Sequence, residues 1–200
     1  MSEPAVLASA ASVQIGASAP ADDAERDAFV HAHPRATFFH LSGWRRVVER
    51  VLCHQPADLI ARRDGRIVGV LPLMRAHSLI TGRALISMPY AVYGGPVGED
   101  TQVEEALVRA AMAQAERERA SRLELRCLSA PSVELTPSNL YATFISDLPA
   151  KPEDVLARMP KKSRAEARKA RDKHGLTLTE GLWYFEDFYR LFHRNKRSLG

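Results

Sequence analysis

Two residues, Asp64-Gly65, constrain this chain more than any others. An Asp-Gly pair between apolar arms favours a tight hairpin, because such turns need positive φ at both central positions. The arms are Ala57–Arg63 and Arg66–His77. They commit the centre of the molecule to antiparallel sheet. Pro72, which has no N–H to give a ladder, predicts a bulge or edge position in the second arm. Helical spacing surrounds the hairpin. Asp22–His33 reads as a helix with Asp22 or Asp23 as N-cap and Pro34 after its end. Ser42–Leu52 follows, with Trp44, Val47, Val48, Val51 and Leu52 as its apolar face, and Thr101–Ala120 with Val103, Ala106, Leu107, Ala110, Ala111 and Ala113 inward. Ser12–Ala17, Ala84–Met88, Arg122–Cys127, Tyr141–Asp147 and Leu176–Thr179 read as strands. Ala36–His40 reads as an extended link and Pro89–Gly98 as a loop. Pro152–Arg158, Lys161–His174 and Trp183–Leu199 read as helices. Strands and helices mixed around a hairpin predict an α/β fold (an α+β sandwich), not a regular βαβ series.

Composition removes other classes. The chain has 200 residues, 46% of them hydrophobic, an ordinary globular balance. Its longest apolar run, Ile67–Met74, contains Gly69 and Pro72 and is far short of the roughly 20 residues of a membrane helix. The first 12 residues read as a flexible tail. They include Glu3, and no Lys or Arg precedes Arg26, so the charged start of a secretory signal is missing and a cytoplasmic location is expected. Cys53 and Cys127 have no metal or disulfide-framework spacing and read as two free, buried thiols. The seven histidines are scattered, and His31-x-His33 before Pro34 is not a metal signature.

The formal charge of +4 conceals an asymmetry. Between Arg158 and Lys173 lie eight basic and two acidic residues, while the rest of the chain carries 20 basic against 22 acidic. On a helix, Lys161, Arg164, Arg168 and Arg171 fall within an arc of about 80°. Lys162, Lys169 and Lys173 form a neighbouring stripe, with Ser163, Ala167 and Ala170 opposite. Two rows of cations suit phosphates: a tRNA backbone, a diphosphate-linked precursor or an anionic lipid surface. The structural alternative is a solvated face with Lys162–Glu166 and Arg168–Asp172 as i,i+4 pairs. No aromatic residue interleaves with the cations, so any RNA contact would be to backbone.

Tyr93-Gly94-Gly95-Pro96 is the second candidate site. Adjacent glycines allow positive φ and close backbone approach, as in a loop lining a substrate cleft, or they simply make a tight connection. The acetyl-CoA-type pyrophosphate loop, Arg/Gln-x-x-Gly-x-Gly/Ala before a helix, is absent, as are Walker and Rossmann fingerprints. No Cys–His or Ser–His–acid set can be assembled from spacing, so no catalytic residue is named, and no metal is expected.

Several spaced motifs together resemble the FemAB family. They are Ala36-Thr37-Phe38-Phe39-His40, Gly43-Trp44, Asp64-Gly65-Arg66-Ile67-Val68-Gly69-Val70-Leu71-Pro72-Leu73, Leu85-Ile86-Ser87-Met88-Pro89 and Val92-Tyr93-Gly94-Gly95-Pro96. Within the family they look closest to proteins of exosortase and PEP-CTERM exopolysaccharide systems. Met159-Pro160-Lys161-Lys162-Ser163-Arg164 with Arg168-Lys169 resembles the family's link into a second domain. The resemblance implies GNAT-like acyltransferase domains in tandem: residues 13–158 as the first, and 159–200 as a basic linker helix and the beginning of the second. It implies transfer of an acyl or aminoacyl group to a peptidoglycan, exopolysaccharide or other envelope precursor. Aminoacyl-tRNA would be the donor, acyl-CoA the lesser alternative, and no cofactor would be held permanently. Tyr93, Gly94, Gly95 and Pro96 would face the substrate, with Lys162, Arg164, Arg168 and Lys169 toward its phosphate. Two rival readings are a non-catalytic module holding tRNA, a precursor or a protein on the basic helix, and an acetyl-CoA-dependent GNAT enzyme. Phe185, Phe188 and Phe192 on the last helix call for a cover: preceding elements, the rest of a longer protein, a second copy or a partner chain.

Overall fold

The computed structural model describes residues 12–78, 82–138 and 141–200. The chain runs through β1 (Gln14–Ala17), α1 (Asp23–Ala32), α2 (Ser42–Leu52), β2 (Gln55–Pro56), β3 (Leu59–Arg63), β4 (Arg66–Leu71), β5 (Met74–Ser78), β6 (Gly82–Ile86), β7 (Val97–Gly98), α3 (Thr101–Arg117) and β8 (Arg122–Glu124). Three further helices follow: α4 (Val155–Arg158), α5 (Lys161–Asp172) and α6 (Phe185–Ser198). The fold is α/β, with two four-stranded sheets ordered β1-β3-β4-β7 and β2-β5-β6-β8. Every pairing is antiparallel except β6 with β8, which is parallel.

The Asp64-Gly65 turn forms as its residues predict, with φ of 51° and 80°. Its two arms keep one register through both sheets: Ile60 faces Val70 and Leu59 faces Leu71 in the first, Pro56 faces Met74 in the second. The hairpin changes sheet between these pairs. There Ala57 N–H bonds Leu73 O at 2.8 Å, and the Asp58 carboxylate accepts Leu73 N–H at 2.9 Å. Pro72 is therefore the crossing point. It has no N–H to leave unpaired where the ladder opens. A register shift after Ala61 leaves Val68 as an extra residue on β4, a bulge that adds twist.

Alternation along β3 and β4 divides the apolar side chains between two faces. Leu59, Ala61, Val68 and Leu71 pack with Val103, Leu107 and Ala111 of α3. Ile60, Ile67 and Val70 pack with Val30 of α1. The seat for α3 is a cross-strand glycine pair, Gly69 facing Gly98. A Cβ on Gly69 would lie 2.5 Å from Val103 Cγ1, and one on Gly98 would lie 2.8 Å from the same atom. Asp100 caps α3 by accepting Val103 N–H at 2.9 Å.

Four sequence expectations change. The Ala36–His40 link holds a 3-10 turn, Phe38–His40, because Thr37 Oγ1 accepts Phe39 N–H and starts it. The buried face of α2 is Ser42, Arg45 and Val48, while Val47 and Val51 are exposed. Arg45 lies inside because its Nη2 donates to both carboxylate oxygens of Asp23, 2.8 Å to each, and Asp58 lies 3.8 Å away. Arg26, also fully buried, bonds Asp58 directly. Tyr141–Asp147 and Leu176–Thr179 form no strand, since no neighbouring strand among the described residues gives them a ladder. Cys53 is exposed and Cys127 half-buried, both free thiols.

By its contacts the chain divides into two units, one ending at Pro137 and the other Ser138–Gly200. All buried residues among those described belong to the first. In the second, α4, α5 and α6 expose most of their side chains, including Trp183, Phe185, Phe188 and Phe192. No helix among the described residues is long and apolar enough to cross a membrane.

Candidate functional site

The loop after β6 lies where parallel strands β6 and β8 end. Ser87 N–H bonds Glu124 O at 2.8 Å, and Ser87 Oγ then accepts Arg126 N–H at 2.7 Å. The loop returns to pair Gly94 N–H with Arg126 O at 3.0 Å, and Arg126 Nη1 donates to Ala91 O at 2.9 Å. This packing requires Gly94 and Gly95. A Cβ on Gly94 would lie 2.8 Å from Met88 Cβ, and one on Gly95 would lie 2.7 Å from Cys127 Sγ. Close approach, not positive φ, is what these glycines supply. The left-handed residues of the loop are Met88 (φ 53°) and Tyr90 (φ 62°), a costly conformation for side chains of their size.

The other side of the loop is held by the Pro34–His40 region. Thr37 Oγ1 donates to Tyr93 O at 2.8 Å. His40 accepts Thr37 N–H at Nδ1 (3.0 Å), so its hydrogen resides on Nε2 and is donated to Gly95 O at 2.9 Å. His33 uses the same device: Arg35 N–H meets Nδ1 at 3.2 Å, and Nε2 faces Gly98 O at 3.1 Å. His40 is 2% exposed, and burial pushes its pKa below the usual histidine range, against smaller opposing effects of its bonds to Gly95 and Thr37. It is a neutral imidazole holding a carbonyl. Sequence reasoning did not assign this role, because only tertiary folding brings His40 to Gly95, 55 residues away.

Tyr93, Gly95, His40, Arg35 and Cys127 line a cavity of about 50 Å³. That is room for water, not for a substrate. Burial pushes the Cys127 thiol up to about 11, so it is no nucleophile at neutral pH. Tyr93 Oη is buried with no hydrogen-bond partner among the described residues. The nearby start of α3 is acidic. Asp100 is held below the usual carboxylate range, first by Arg63 and then by Val103 N–H, and Glu104 accepts Gly98 N–H at 3.1 Å. A helix start neutralised by its own carboxylates is a poor diphosphate site. No group of three His, Cys, Asp or Glu among the described residues could hold a metal.

Lys162, Arg164, Arg168 and Lys169 lie in the second unit, on α5. The i,i+4 pairs expected there do not form. The acids instead pair as Lys169–Glu166 at 3.8 Å and Arg171–Asp172 at 2.7 Å. Lys161, Lys162, Arg164 and Lys173 form no ion pair among the described residues, and Arg168 makes no direct pair but its charge acts on Asp172.

No protein-family profile matches the sequence, and no curated protein is significantly similar to it. Solved structures give weak likenesses. A ribosomal-protein-alanine N-acetyltransferase from Brucella melitensis is 16% identical, covering 68% of this chain and 99% of its own, with a TM-score of 0.47. A GNAT family acetyltransferase from Staphylococcus aureus is 8% identical, covering 66% and 99%, at 0.43. A transcriptional regulator from Bacillus halodurans is 12% identical, covering 86% and 97%, at 0.40.

Proposed function

We propose that the first unit is a GNAT-like acyltransferase domain of FemAB type, acting on an envelope or exopolysaccharide precursor. The observation that carries this reading is the glycine loop Tyr93–Pro96 wedged between the ends of parallel strands β6 and β8. The elements run strand, two helices, hairpin, strand, helix, strand, an order that resembles GNAT-like acyltransferase domains, and the last strand pairs parallel to β6. Acyl transfer from an activated ester needs orientation and a donor for the developing oxyanion more than a strong nucleophile. Tyr93 Oη, without a partner among the described residues, is the candidate donor. A cavity of about 50 Å³ obliges the loop to open before substrate enters. Tyr93→Phe should lower kcat about 100-fold with little change in stability. Unchanged turnover in a single-turnover transfer assay would remove Tyr93 from the reaction.

The α5 cations that form no ion pair among the described residues favour contact with a polyanion, and aminoacyl-tRNA as donor would place the reaction in the cytoplasm. Acyl-CoA is the lesser candidate, because the acidic start of α3 opposes a diphosphate there. Thermal-shift measurements with acetyl-CoA, charged tRNA, and lipid- or nucleotide-linked sugars discriminate between the donors. Stabilisation by acetyl-CoA alone overturns the FemAB reading. Replacing Arg164 and Arg168 by Gln should flatten the salt dependence of tRNA binding by about 1.5 units of log–log slope. Retained binding without any transfer would favour the second reading, a module that holds its ligand on α5.

A further inference from the structure

We infer that a second cleft, at the C-terminal end of α3, binds a small organic phosphate. The cleft has a volume of about 690 Å³, within the range of small-molecule sites. It is bounded by the α2–β2 corner, the ends of β5 and β6, and the last turn of α3. Four arginines line it, against the single carboxylate of Glu118. Arg75 satisfies that carboxylate with two bonds of 2.7 Å. Arg83 and Arg119 form no ion pair among the described residues and share the cleft with Arg117, whose charge, behind that of Arg75, helps hold Glu118 below the usual carboxylate range. Leu52, Ala84 and Leu85 supply an apolar floor. Guanidinium groups over an apolar floor suit a phosphate head attached to a carbon skeleton.

The backbone supplies a second observation. The end of α3 closes with Arg119 N–H to Glu116 O at 3.0 Å and Ala120 N–H to Ala115 O at 2.9 Å. This is the Schellman arrangement, whose left-handed position is usually glycine. Here it is Arg119, at φ 52°. A cation near a helix C-terminus favours the dipole, and that accounts for Arg117. It does not account for an arginine where glycine fits better. Cys53, at φ 56°, lines the same cleft, as does His54, which stacks on left-handed Tyr90 with ring centres 6.0 Å apart. Two of the five non-glycine left-handed residues among those described, Cys53 and Arg119, thus line it.

The test is calorimetry on the full chain at physiological salt, with adenosine diphosphate, inorganic diphosphate and adenosine as probes. Adenosine diphosphate should bind saturably and more tightly than inorganic diphosphate, and adenosine not measurably. Arg119→Gly should keep or raise the melting temperature while weakening adenosine diphosphate binding. Combined with Arg83→Gln, the loss should reach about tenfold. Lys162→Gln with Arg168→Gln should leave this affinity unchanged, which separates the cleft from the polyanion surface proposed for α5. Equal affinity for the two diphosphates would overturn the assignment. So would a loss confined to the α5 variant, or wild-type affinity in Arg119→Gly/Arg83→Gln.

Discussion

His40 shows how one side chain decides the position of the candidate loop. Its imidazole bridges Thr37 N–H and Gly95 O, and burial depresses its pKa from 6.5. Below pH 6.5 the unfolded chain takes up a proton that the folded one does not. The contribution of His40 to stability is therefore intact above pH 6.5 and falls as the pH drops toward the folded-state value. Urea unfolding at pH 7 and pH 5 should show this loss in the wild type, and a smaller one in His40→Gln. That variant should cost about 1–3 kcal/mol at pH 7, from a buried carbonyl left poorly paired. The thiols give a second prediction at this scale. Iodoacetamide at pH 8 should modify exposed Cys53 and spare Cys127, as peptide mass spectrometry would show. The sequence displayed Tyr93-Gly94-Gly95-Pro96 as a group, but its partners Thr37 and His40, and the bond of His33 to nearby Gly98, were invisible as such. Their bonds span 56 to 65 residues of chain for Thr37 and His33, and spacing reports only local geometry.

Among elements, α3 and the hairpin were legible because their patterns are strong and local. Helix α3 starts at its Asp100 cap, and the hairpin turns at Asp64-Gly65. The face of α2 was not legible. Hydrophobicity marked Val47 and Val51, whereas the fold buries Arg45 against Asp23 and Asp58, a paired charge no apolar pattern can signal. The α3 seat makes a quantitative prediction. Gly69→Ala should cost about 1–3 kcal/mol by overpacking against Val103. Val103→Ala should cost less in that background than in the wild type, a non-additivity measurable by a double-mutant cycle in urea. Full additivity would mean that Gly69 and Val103 do not oppose each other.

At the scale of the molecule, the first unit contains every buried residue among those described. A fragment ending at Pro137 should therefore unfold cooperatively with nearly the melting temperature of the full chain. In the second unit, Phe185 stacks on Tyr189 and Phe188 on Phe192, yet all four remain exposed. We propose that another chain, a second copy first among candidates, covers this face. Light scattering should detect self-association that Phe188→Ser/Phe192→Ser abolishes, and a strictly monomeric wild type would contradict it. The sequence by itself determined the α/β class, the hairpin, the helix ends and the charge of α5, because turn chemistry, caps and periodicity act within a few residues. Only the tertiary structure decided the crossing of the hairpin at Pro72, the buried Arg26–Asp58 pair, the histidine clasp on the glycine loop and the arginine-lined cleft. Each of these depends on residues far apart in sequence, and their energies appear only once the sheets have brought them together.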